Sequence, residues 1–125
     1  MALCALILAL SGCGRDGDRQ SVRAVVDGFY AAVRDHQGER ACALLSPDTR
    51  KVLEQQESQS CDKAVDSLHL DDGRTRRVQV FSTDATVELV GGDTVFLGDS
   101  PSGWQISAAG CQLQADKPAD CEVQD

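Results

Sequence analysis

Six cysteines, at positions 4, 13, 42, 61, 111 and 121, are the most reactive side chains in this 125-residue sequence. A thiol or thiolate can bind metal, attack an electrophile or pair as a disulfide. Spacing argues against metal: no CxxC occurs, and neither His36 nor His69 stands at ligand spacing from a cysteine. It also argues against nucleophilic catalysis, because no Ser or Cys has a partner His at a recognisable interval. Gly91-Gly92-Asp93 lacks the Lys and helix that follow a phosphate loop. Asp71-Asp72-Gly73 lacks the further oxygen ligands and closing Glu of a calcium loop, so it reads as a turn. No metal and no cofactor is therefore expected. Proton transfer is left to Tyr30 and Asp27. Asp27 falls off the apolar stripe of its helix and reads as solvated, and Tyr30 reads as a rim residue with a wet hydroxyl. His36, at a helix end, and His69, beside a charged loop, read as surface residues.

The elements that position these groups begin with an apolar run over residues 2 to 11, which is half of the roughly 20 residues a membrane-spanning helix needs. The length suits the hydrophobic region of a signal peptide. Leu10-Ser11-Gly12-Cys13 resembles the lipobox of bacterial lipoproteins, and the resemblance implies that residues 1–12 are removed and that Cys13 carries diacylglycerol. No Lys or Arg precedes the run, so the natural start is expected upstream of Met1. Removing Cys4 and lipidating Cys13 leaves four cysteines, an even number that suits two disulfides. Of three connectivities, Cys42 with Cys61 and Cys111 with Cys121 is preferred, because each pair lies within one local segment. Each bridge is expected to stabilise the fold by about 2 to 4 kcal/mol.

The chain carries 12 Lys plus Arg against 20 Asp plus Glu, a net charge of −8. Its largest basic cluster is Arg74, Arg76 and Arg77, too small a cationic footprint for nucleic acid. Residues 13–18 are Gly-rich and charged and suit a lipidated tether, leaving 19–125 as one domain. Val22, Val25, Val26, Phe29 and Val33 form a helical stripe, predicting a first helix from about Asp18 to about His36. "GERACALLSP" predicts a short second helix, with Cys42 and Leu45 on one face. Ser46, Pro47 and Asp48 form a helix start. The third helix continues to Ser60 and buries Val52 and Leu53. Cys61, Ala64, Val65 and Leu68 predict a last helical turn or two.

After Arg76 the period changes to two. "RRVQVFS", "ATVELV", "TVFLG" and "WQISAA" read as four antiparallel strands, with Val78, Val80, Val87, Leu89, Val95, Leu97 and Ile106 on a core face that carries no ionisable group. Gly91-Gly92 suits a two-residue hairpin loop and "GDSPSG" a longer turn. "CQLQADKPADC" reads as a Pro-containing loop returning along the sheet edge.

The order of "VRAVVDGFYAAV", "ACALLSP", "SCDKAV" and "GWQISAAGC...DC" resembles small actinobacterial lipoproteins with an NTF2-like (SnoaL-like) α+β cone. The resemblance implies three to four N-terminal helices packed on a curved antiparallel sheet of about four strands, with a pocket between them. Tyr30, Phe29 and Trp104 are the candidate pocket residues, Trp104 being read first as a core anchor. The expected function is a non-catalytic binding or scaffold domain, lipid-anchored on the extracytoplasmic face of the cell membrane. Its expected partner is an envelope protein or a small apolar ligand. The alternative is a lyase or isomerase acting on a small carbonyl compound, with Tyr30 polarising the carbonyl.

Overall fold

In a computed structural model the chain is described from residue 14 to residue 125. The apolar leader, Cys4 and Cys13, with the lipidation expected there, lie outside the described residues. Helices come first: α1 (Gly14–Arg34), α2 (Gly38–Ala43), α3 (Pro47–Glu57) and α4 (Cys61–Ala64), the last running into a 3-10 turn at Val65–Ser67. Strands follow: β1 (Thr75–Phe81), β2 (Asp84–Leu89), β3 (Thr94–Ser100), β4 (Gly103–Gln114), β5 (Lys117–Asp120) and β6 (Val123–Gln124). The class is α+β, a helical layer on an antiparallel sheet. Among the described residues no helix is long and apolar enough to cross a membrane.

The α1 stripe packs as its spacing predicts: Val22, Val26 and Phe29 are fully buried, and Val25 and Val33 are partly covered. The helix starts at Gly14, not near Asp18, so residues 14 to 17 of the expected tether are helical. Asp16 in the first turn opposes the helix dipole and lies 3.9 Å from Arg19, one turn on. At the other end His36 turns left-handed (φ 54°) and Gln37 N–H reaches back to Ala32 O at 2.8 Å, ending the helix as a glycine would.

Ser46 caps α3 by accepting from Thr49 N–H at 3.2 Å, with Pro47 in the first turn. The helix stops at Glu57 because Ser58 turns left-handed (φ 52°). It buries Thr49 and Leu53, whereas Val52 is only half-buried. The Cys42–Cys61 disulfide ties α2 to α4 across a Cα separation of 6.1 Å.

Strands β1 to β4 form the expected meander. Ala85, Val87, Leu89, Val95, Leu97 and Ile106 are buried beneath the helices. Val78 and Val80 are only partly covered, since β1 is an edge strand. The β2–β3 loop is longer than the two residues expected from Gly91-Gly92: Leu89 N–H bonds Asp93 O at 2.8 Å, enclosing residues 90 to 92.

The sheet has six strands rather than about four. The returning C-terminal segment pairs with β4, Gln114 facing Lys117 and then, after a shift, Gln112 facing Asp120, Ala109 facing Val123 and Ala108 facing Gln124 in one register. β5 and β6 are thus one edge strand interrupted at Cys121-Glu122. Its short polar pieces, one holding Pro118, carry no period-two pattern, and the Cys111–Cys121 bridge joins residues that this register places opposite each other. Leu44–Ser46 covers more of the same β4 edge, with Ser46 N–H on Ile106 O at 2.8 Å and Ile106 N–H on Leu44 O at 2.9 Å. Irregular pairing near Phe96 and a positive φ (65°) at Gly110 bend β4.

Candidate functional site

Tyr30 follows Val22 and Val26 at intervals of four, so it extends the buried face of α1 instead of standing on its rim. It is 2% exposed, and its hydroxyl is buried without a hydrogen-bond partner among the described residues. The reading of a wet hydroxyl is therefore corrected. Its ring meets Phe29 edge-on, centroids 5.6 Å apart. Gly73 lies against the ring: a Cβ there would come within 2.5 Å of it, and the backbone has φ 75°, so both space and conformation require glycine.

The segment around Gly73 is held by two aspartates. Asp71 accepts from Gly73 N–H at 2.8 Å and from Asp93 N–H at 3.3 Å, while Asp93 accepts from Asp71 N–H at 3.4 Å and from the Gln112 side-chain amide. This reciprocal pair latches the approach to β1 onto the β2–β3 turn. Burial pushes the Asp93 carboxyl above its usual value, the neighbouring Asp71 charge adds to this, and hydrogen bonds from Asp71 N–H and Gln112 oppose it. Burial, and then the charges of Asp71 and Asp93, hold the Tyr30 phenol far above its ordinary pKa. Tyr30 therefore remains a neutral O–H donor.

Outside this cluster a groove of about 450 Å³ runs between α1 and the start of β1. Arg23, Asp27, Tyr30 and Arg34 line it from α1, and Asp72, Gly73, Arg74 and Thr75 line it from the opposite wall, with Val90 at its edge. Arg34 donates to Asp72 O at 2.8 Å, Arg74 Nε donates to the Asp72 carboxylate at 2.8 Å, and Arg23 lies 3.8 Å from Asp27. Hydrogen bonds from Arg74, backbone first and then side chain, hold Asp72 below the usual carboxylate range despite some desolvation. Thr75 presents a second buried hydroxyl without a partner.

Family models, curated proteins and solved structures yield no match to this chain. The site therefore has to be read from its own chemistry. Arginines, a neutral phenol and a second hydroxyl make a set rich in donors, suited to holding a ligand with acceptor oxygens. General acid–base chemistry has less support, since both carboxylates nearest Tyr30 are engaged by backbone N–H groups.

Among the residues named from sequence, Tyr30 and Asp27 line the groove, Asp27 as an exposed residue. Phe29 and Trp104 are packed in the core, at 0% and 8% exposure. His36 and His69 are exposed, 3.4 Å from Asp66 and 3.5 Å from Glu122. Among the described residues no group of three or more His, Cys, Asp or Glu is arranged to hold a metal. Sequence reasoning missed Asp93, Arg34 and the pairing of Asp71 with Asp93. The strand pattern shows an apolar inner face and is silent about a turn residue folded back beneath it. The Tyr30 burial did have a signal, its interval of four from Val26.

Proposed function

We propose that this chain is an extracytoplasmic lipoprotein with an NTF2-like cone, tethered to the cell membrane through lipid on Cys13, whose domain binds a ligand without transforming it. The observation that carries this reading is the pairing of the four described cysteines with one another, Cys42–Cys61 and Cys111–Cys121. Two disulfides in so small a domain suit an oxidising compartment. They also leave Cys13, at the end of the lipobox-like Leu10-Ser11-Gly12-Cys13, uncommitted to either bridge.

The binding half of the reading is supported by the filled interior between helices and sheet. Phe29, Leu53, Val87, Val95 and Ile106 are all fully buried there. The donors at the groove suit an acceptor, and among the described residues the carboxylates acting on Tyr30, Asp71 and Asp93, are held by backbone N–H groups, which disfavours an isomerase or lyase step. Metabolic labelling with a palmitate analogue tests the tether: the full chain should be acylated and partition with membranes, and Cys13→Ala should lose both. Continued membrane partition of that variant overturns the anchor. Exchange of the α protons of butanone catalysed by the full chain, and lost in Tyr30→Phe, would overturn the non-catalytic reading.

A further inference from the structure

We infer that the groove between α1 and β1 recognises a small molecule through a carboxylate group. The inference rests on the binding reading above and names the ligand class. Its first support is that three arginines line the groove, Arg23 and Arg34 from the helix and Arg74 from the opposite wall, with Asp72 holding Arg34 and Arg74 together. A guanidinium offers five N–H donors in a rigid plane that matches a carboxylate two bonds at a time.

The neighbouring acids orient these groups without consuming them. Arg34 uses an N–H on Asp72 O, and Arg74 uses Nε on the Asp72 carboxylate. Asp72 thereby anchors one arginine from each wall. Arg23, 3.8 Å from Asp27, is held more loosely. Most of the N–H groups on the three arginines have no protein acceptor among the described residues. A fork already anchored loses less freedom when a ligand arrives.

Charge selects the kind of anion. Three arginines and two aspartates line the groove, an excess of one positive charge on a chain of net charge −8. One excess charge matches a monoanion. A dianionic phosphate would overshoot it and would also meet the field of Asp71 and Asp93, the same field that acts on Tyr30.

The second, independent support is unspent hydrogen-bonding capacity. Tyr30 and Thr75 both line the groove, and the hydroxyl of each is buried within its wall without a partner among the described residues. Buried polar groups are normally satisfied, and unsatisfied ones in a native fold call for an explanation. A surplus of donors in the two walls, with the acidic groups already engaged, asks for a ligand that only accepts. An ionised carboxylate is such a group. Val90, 53% exposed at the groove's edge, can cover an aliphatic tail.

The test titrates the isotopically labelled full chain with hexanoate, hexanamide and inorganic phosphate, following the Arg Nε–H signals and the Gly73 amide by NMR. Hexanoate should give saturable shifts at these positions, hexanamide none, and phosphate weaker ones. Arg34→Gln and Arg74→Gln should each weaken hexanoate by about tenfold or more, the loss of one charged contact, with the Trp104 indole signal unchanged as a check on folding. Equal saturation by hexanamide, or tighter binding of phosphate, would overturn the carboxylate assignment while leaving a binding domain in place. Absence of any saturable shift with hexanoate also overturns it. Catalysed butanone exchange, lost in Tyr30→Phe, would instead overturn the non-catalytic reading on which the inference rests.

Discussion

Thr49 and Tyr30 are both buried hydroxyl residues, and the molecule treats them in opposite ways. Thr49 donates to Ser107 O at 3.0 Å, lies 2.7 Å from Ser46 Oγ, and stands with Ser46 at 3.2 Å from the Asp125 carboxylate. That network fastens the start of α3 to β4 and to Asp125. Tyr30, equally deep, has no partner for its hydroxyl among the described residues. The satisfied hydroxyl is structural; the unsatisfied one costs stability where it stands. A polar cost retained beside an open groove is more readily explained by ligand recognition than by folding.

The comparison can be broken or sharpened by measurement. The largest effect is expected at the bridge between α2 and α4: Cys42→Ala with Cys61→Ala should cost about 3 kcal/mol in denaturant unfolding, since it frees a loop that a sequence separation of 19 had closed. The Cys111–Cys121 pair, with a separation of 10, should cost slightly less on the same argument. Thr49→Val should cost about 1 kcal/mol, because it removes the hydroxyl's bond to the Ser107 carbonyl, which keeps only Asp125 N–H at 3.1 Å. A neutral result would show that the start of α3 is not held by that hydroxyl.

Tyr30→Phe should be neutral or stabilising by up to about 1 kcal/mol, since the deleted hydroxyl makes no bond. Destabilisation as large as that of Thr49→Val would erase the distinction between the two regions. The smallest effect concerns pH. The folded Asp93 carboxyl sits above its ordinary value of 3.8. Its contribution to stability is therefore full below that value and is lost as pH rises through the folded pKa. Asp93→Asn should flatten this part of the decline in the urea midpoint from acid to neutral pH, and an unchanged slope would show that Asp93 does not titrate abnormally.

Much of the helical layer was legible in sequence because local rules suffice there. The Val22–Val26–Phe29 stripe and the Ser46-Pro47 start each rest on neighbours within a turn or two. The inner faces of β2 to β4 were legible for the same reason, through period two. β5 and β6 were not, because a short polar strand holding Pro118 has no pattern of its own and forms only where β4 offers an edge. The groove was half legible: Tyr30 and Asp27 drew attention by type, but Arg34 and Arg74 are separated by 40 positions and look like ordinary surface charges until the fold brings them to one groove.

The sequence by itself determined the α+β class, the order of helices and main strands and the cap of α3, and it favoured the local pairing of the cysteines. These depend on side-chain periodicity and short-range geometry, which a linear string carries. Only the tertiary structure decided that Tyr30 is buried without a partner, that Asp71 and Asp93 latch each other, and that three arginines share a groove. Those are consequences of which surfaces meet, and desolvation and electrostatics act only after they have met.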